Sequence, residues 1–324
     1  MATIHPFRAL RYRPAAAGAP LESLITQPYD KITPEMQERY YGLSPHNLIR
    51  LELGKREPAT ETDNVYTRAA RWLEDTVQAG VLAADPEPSV YVYFQEYAVP
   101  GTKERRTRKG FIALGKVEDY EAGVVHRHEQ TLSGPKADRM ELLRHTRAHT
   151  GQLFMIYSDA QKEMSRLLEE VARKAKPEEI TDEYGAAHRL WRVSDAATVE
   201  RFQKGMADKK LIIADGHHRY ETALAYRNEC RTRLRQGSGG QGSPDAPYEK
   251  VMMTFVHTEQ PGVTVLPTHR VVSNLASFDF AAFRDKAAEF FDWYAYPGDD
   301  GPAKLQRDLI EREIGRASCR ERVC

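Results

Sequence analysis

The segment KKLIIADGHHRYETALAYR, Lys209 to Arg227, constrains the fold more than any other stretch of this 324-residue chain. Its apolar, β-branched run reads as a strand, Asp215-Gly216 breaks the run, and from His217 the pattern is helical. A second constraint comes from SVYVYFQEYAV and GFIALGKV, two strand patterns joined by the charged turn PGTKERRTRK. That pair reads as an antiparallel hairpin and not a βαβ unit.

Elsewhere helix and strand patterns alternate. Thr33 and Pro34 mark the start of a short helix. TDNVYTRAARWLEDTVQAG places Val65, Ala69, Trp72, Leu73 and Val77 on one helical face and stops at Gly80. A helix is expected from about Pro135 to His149, then the strand QLFMIYS, then helix, strand and helix through AQKEMSRLLEEVARKA, HRLWRVS and DAATVERFQKGM. RQGSGGQGSPDAP reads as a surface loop, YEKVMMTFVHT and GVTVLPTHRVV as two strands, and FDFAAFRDKAAEFF as a helix. Hairpins mixed with alternating helices and strands predict an α+β fold with a mixed sheet and flanking helices. Residues 1–313 are expected to form a single domain, divisible into an N-terminal part, 1–123, and a part carrying the DGHHR box, 124–313.

The chain balances 47 basic against 47 acidic residues, so nothing in the bulk charge calls for nucleic acid or an anionic membrane. The N-terminus lacks an apolar signal region, and no apolar run approaches the roughly 20 residues needed to span a bilayer, so a cytoplasmic location is expected. Cys230, Cys319 and Cys324 make no disulfide framework. The ending EIGRASCRERVC matches what a sequencing adapter would encode if read through, so residues 314–324 are expected to be a non-native tail.

Three places carry candidate chemistry. At Asp215, Gly216, His217, His218 and Arg219, a helix start points its unpaired N–H groups at the mouth of the sheet, where phosphate is the natural guest. Gly216 allows close backbone approach and Arg219 offers a fork of donors. An ordinary capped helix accounts for the same residues. A metal site with Asp215, His217 and His218 as ligands is the least favoured of these readings, because adjacent histidines at a helix start splay apart and no H-E-x-x-H spacing is present. In HRHEQT, Glu129 with His128 can act as a base or orient a hydroxyl, and a plain solvated loop fits equally. In QPYDKI, Asp30 sits in a turn where aspartate usually bonds its own backbone. Arg139, Thr150, Gln152, His269 and Arg270 can face the same cleft.

HPFRALR, PYDKI, HRHEQT, DRMELLRHTRAHTGQLFMIY, ADGHHRYETA and HRVV, in this order, resemble the domain-of-unknown-function 1015 family over nearly all of the chain before the tail. That family is similar to the ParB/sulfiredoxin-like superfamily, whose shared element is a strand, a Gly-x-x-Arg box and a helix that binds nucleotide phosphates. The resemblance places the box on Gly216, His217, His218 and Arg219. His217-His218 stands where sulfiredoxins carry their reactive cysteine, which argues against a thiol mechanism, and no helix-turn-helix-like region supports a ParB-type DNA role.

What the resemblance implies is a nucleotide-dependent phosphotransferase acting on a small hydroxyl metabolite, with free L-serine as the first candidate. ATP or ADP would serve as nucleotide, with CTP as the alternative, together with Mg²⁺. Glu129, beside His128, or Asp30 would deprotonate the acceptor. The competing expectations are a CTP-binding switch without turnover, and a metal-dependent hydrolase built on His126, His128, His217 and His218. No oligomeric state follows from the sequence.

Overall fold

Local signals nucleate most of the elements. From the N-terminus these are β1 (Ile4–His5), β2 (Leu10–Tyr12), α1 (Pro14–Ala17), α2 (Pro34–Leu43), α3 (Ile49–Glu52), α4 (Val65–Gln78), β3 (Leu82–Ala84), β4 (Val90–Ala98) and β5 (Arg105–Lys116). There follow β6 (Val125–His126), α5 (Ser133–Thr146), β7 (Leu153–Tyr157), α6 (Glu163–Lys174), β8 (Glu178–Thr181), β9 (Ala187–Val193), α7 (Ala196–Met206), β10 (Leu211–Asp215), α8 (His217–Ser238), β11 (Lys250–His257) and α9 (Phe280–Ala287). This computed structural model describes residues 1–129, 133–238, 243–264, 275–294 and 296–301, with 303, 304, 307 and 308. His269 and Arg270, most of the strand expected in GVTVLPTHRVV, and the tail lie outside the described residues.

The caps behave as their residue types require. The Thr33 hydroxyl accepts the Met36 N–H at 3.3 Å. Asn64 accepts from Tyr66 and Thr67 while the Thr67 hydroxyl accepts the Asn64 N–H, a reciprocal capping box on α4. The buried stripe of α4 departs from expectation at its C-terminal end. Val77 is 38% exposed and Thr76 takes the buried place, its hydroxyl satisfied by the Trp72 carbonyl at 2.6 Å. A threonine that bonds back into its own helix carries no unmet polar cost into the core.

Among the described residues nine strands form one mixed sheet in the order β6-β10-β7-β11-β5-β4-β9-β8, with β1 beside β5. β10 runs parallel to β6 and β11 parallel to β7, while the other pairs are antiparallel, including the β4–β5 hairpin. The fold is therefore α+β with a mixed sheet. The expected division at residue 123 falls inside this continuous sheet, which takes strands from both sides of it. Chain proximity instead separates Met1–Val263 from Thr264–Cys324. In the second unit, Asp279 caps α9, and Phe280 and Phe283 meet Trp293 edge-on.

Strand alternation gives the sheet two different faces. One carries Val92, Phe94, Phe111, Met155, Met253 and Phe255, which pack with Leu167, Leu168, Val199 and Phe202 of α6 and α7 into the main core. Burying each such side chain is worth about 1.5–3 kcal/mol. The opposite face presents Tyr93, Arg108, Gly110, Phe154, Thr254 and Val256 to a cleft that residues 26–29 and Lys31 help to line. A smaller core of Leu51, Ala69 and Leu142 ties α3, α4 and α5 together.

The HPFRALR stretch has a structural job. Asp85, with its side chain 1% exposed, is gripped by Arg11 through two bonds of 2.8 and 2.9 Å and accepts the Tyr91 hydroxyl at 2.7 Å. Arg8 donates to the Asp85 carbonyl at 2.7 Å. A buried carboxylate needs this many partners to stay charged. Among the described residues no helix is long and apolar enough to cross a membrane.

Candidate functional site

The handover from β10 to α8 depends on two backbone devices. The β10–β7 register shifts between Ile213 and Asp215, and Gly216 follows with φ of +93°. Only glycine holds such a backbone without strain. The first helical bond runs from the Tyr220 N–H to the Gly216 carbonyl at 3.0 Å, so the preceding amides have no partner inside α8. Tyr220 and Ala223 anchor the helix in the main core, and the Tyr220 hydroxyl donates to the Glu118 carbonyl at 2.7 Å.

Asp215 and Arg219 then face a cleft of about 550 Å³. Its floor is the polar sheet face, and Thr26, Gln27, Pro28, Tyr29 and Lys31 add a loop wall. Arg219 is held on two sides: Nη1 donates to the Gln152 carbonyl at 2.8 Å, and its guanidinium carbon stands 5.6 Å from the Tyr29 ring centre. Arg139 stacks on the same ring at 4.3 Å. Tyr29 is thus clasped by two arginines, each contact an attraction of cation for ring face. Burial pushes the Tyr29 hydroxyl upward, with the two arginines opposing. Gly151 has no side chain where Arg219 lies, since a Cβ there would stand 3.0 Å from Arg219 Nε.

The cleft carries an excess of positive charge. Lys31, Arg108 and Arg219 line it against Asp215 and Glu52, and Glu52 is already committed to Arg139 at 3.1 Å. Arg108 lies over the Phe154 ring at 4.7 Å. Tyr93 closes another part of the floor. Burial pushes its hydroxyl up to about 12, and it hydrogen-bonds with His188 Nδ1, while His188 Nε2 lies 3.0 Å from Asp182 Oδ2. Gly110 sits beneath because a Cβ there would stand 2.4 Å from the Phe255 carbonyl oxygen. Volume, polar anchors and net positive charge suit a small anionic ligand.

A second cluster forms around His217, on the other part of the same helix start. Its Nδ1 lies 2.9 Å from Glu129 Oε1, and the His128 ring meets its ring edge-on at 4.5 Å between centres. The His217 side chain is 2% exposed and its Nε2 is buried without a partner among the described residues. Burial lowers its pKa most, His128 adds to that, and Glu129 opposes it.

The structure gathers the sequence-predicted residues unevenly. Asp215, Arg219, Thr150 and Gln152 line the cleft, and Arg139 stands behind Tyr29. His217, His128 and Glu129 gather in the neighbouring cluster and do not line it. Asp30 is exposed between two lining residues, Tyr29 and Lys31. His218 is partly buried, and His126 is exposed on β6 opposite Ile212. The objection to a metal, that His217 and His218 splay apart, does not touch this cluster, because His217 meets His128 and Glu129 from another segment. Sequence reasoning missed Tyr29, Lys31, Tyr93, Arg108 and Thr254. Arg108 lies in RRTRK, which was expected to belong to the charged turn and instead opens β5 at Arg105.

No curated protein and no solved structure matches this chain. One family model does, over residues 4–317, a span that enters the expected tail. The chain belongs to the family described as protein of unknown function DUF1015.

Proposed function

We propose that the cleft binds a nucleotide through its phosphates and that the protein transfers a phosphoryl group to a small hydroxyl metabolite. The observation that carries this reading is the convergence of Arg219, from the first turn of α8, with Lys31 and Arg108 on one cleft. Its likeness to the phosphate-binding element of ParB/sulfiredoxin-like proteins supports the same reading. Phosphoryl transfer asks chiefly for positioning and charge stabilisation, which such a donor set provides.

Arg219 and Lys31 hold the phosphates, and Tyr29 keeps the Arg219 fork oriented. Asp215 is the lining carboxylate that makes no ion pair among the described residues, which fits a hard cation of the Mg²⁺ type held by one carboxylate and phosphate oxygens. Such an ion neutralises phosphate charge. Of the two expected bases, the cleft favours Asp30, because its neighbours on both sides line the wall while Glu129 is engaged by His217. ATP and ADP are the first nucleotides to test, CTP the next, and free L-serine the first acceptor.

Calorimetric titration of the protein with each nucleotide and Mg²⁺ tests binding. Arg219→Ala should weaken affinity about 10- to 150-fold, the worth of one charge-assisted bond of about 1.5–3 kcal/mol. Asp30→Asn should cut turnover about 10²- to 10⁴-fold with affinity little changed. No binding by any nucleotide defeats the proposal. Tight binding with no product from any hydroxyl acceptor would make the protein a nucleotide switch instead.

A further inference from the structure

The His217 cluster does something the cleft does not require. Three donors come together from two segments: His128 and Glu129 from the loop after β6, and His217 from the first turn of α8. One ligand atom from each lies within 4.8 Å of the others. Metal–ligand bonds of about 2.0–2.2 Å place ligands of one ion no more than about 4.4 Å apart, so small side-chain movements suffice to close the site. The closest pair, His217 Nδ1 and Glu129 Oε1 at 2.9 Å, already has the spacing of neighbouring ligands.

Burial is divided in the way a binding site needs. His217 is fixed in the protein, while His128 and Glu129 are exposed and leave coordination positions open to water. The His217 Nδ1 meets Glu129, and its Nε2 is buried with no hydrogen-bond partner among the described residues. We propose that His128, Glu129 and His217 bind one divalent transition-metal ion of the zinc or manganese class. Two imidazoles with one carboxylate suit such borderline ions and not Mg²⁺ or Ca²⁺, which take oxygen ligands. The ion pins the loop after β6 to the start of α8, from which Arg219 faces the cleft. It is distinct from any cation that accompanies a nucleotide there.

The test uses the untagged full chain, stripped with chelator and dialysed against Zn²⁺ or Mn²⁺ in the presence of excess Mg²⁺, with bound metal measured by elemental analysis. One ion per chain is expected, undisplaced by Mg²⁺. His128→Ala and Glu129→Gln remove exposed groups and leave the buried ring in place, so the fold survives, and each should weaken binding by at least about 100-fold. His145→Ala, a surface histidine outside the cluster, should leave binding unchanged. Less than a tenth of an ion per chain overturns the proposal. So does unchanged affinity in both cluster variants, or an equal loss in His145→Ala. Because metal content is read without nucleotide, this result stands apart from the fate of the phosphotransferase reading.

Discussion

Replacing Gly216 with alanine tests the backbone device on which the cleft depends. At φ of +93° an L-residue is strained, and such positions cost of order 1–3 kcal/mol. The new Cβ would also stand 3.0 Å from Leu153 Cδ2, and Leu153 is fully buried with little room to move. Together these give a destabilisation of about 2–3 kcal/mol. At about 2–4 °C per kcal/mol for a domain of this size, the melting temperature should fall by about 4–12 °C. Urea unfolding followed by tryptophan fluorescence measures it directly, with the midpoint lowered at an unchanged slope. Gly123→Asn serves as the control, because φ there is +63° in open space and asparagine tolerates that region. If Gly216→Ala unfolds with the parent's midpoint, the handover does not depend on this conformation and the account of the helix start is wrong.

Asp85→Ala should cost about 3–5 kcal/mol, because it leaves Arg11 and the Tyr91 hydroxyl facing an emptied, buried place; a loss under 1 kcal/mol in chemical denaturation would show the network to be ornamental. Stability should also fall on mild acidification. Desolvation lowers His149 to about 4 from 6.5, and burial lowers His217 and His257 as well. Below 6.5 the unfolded chain takes up protons that the folded chain refuses, so stability drops from pH 6.5 toward 4.5 by at most about 1.4 kcal/mol per pH unit for each histidine. Unfolding free energies at pH 7, 6 and 5 that stay level would contradict this.

Much of the architecture could be read locally, since strand alternation, caps and glycine stops are written within a few residues. The Thr33 cap and the β10–α8 handover occur where those patterns placed them, while the β4–β5 hairpin forms with a tighter turn than expected, because Arg105 to Lys109 pair with β4 as strand. β8 escaped notice because its residues, Glu178–Thr181, are polar, as an edge strand's can be. α5 starts and ends earlier than Pro135 to His149, for helix ends are the least constrained by periodicity.

By itself the sequence determined an α+β chain with a strand-to-helix turn fit for an anion, because backbone geometry and charge at that turn depend on adjacent residues. Only the tertiary structure decided what surrounds the turn. Tyr29 reaches Arg219 from nearly 200 residues away, and Glu129 reaches His217 from the loop after β6. It also split DGHHR in two, with Arg219 facing the cleft and His217 buried beside Glu129. Successive residues on a helix start point in different directions, so one motif reaches two neighbouring places, and no spacing rule along the chain carries that information.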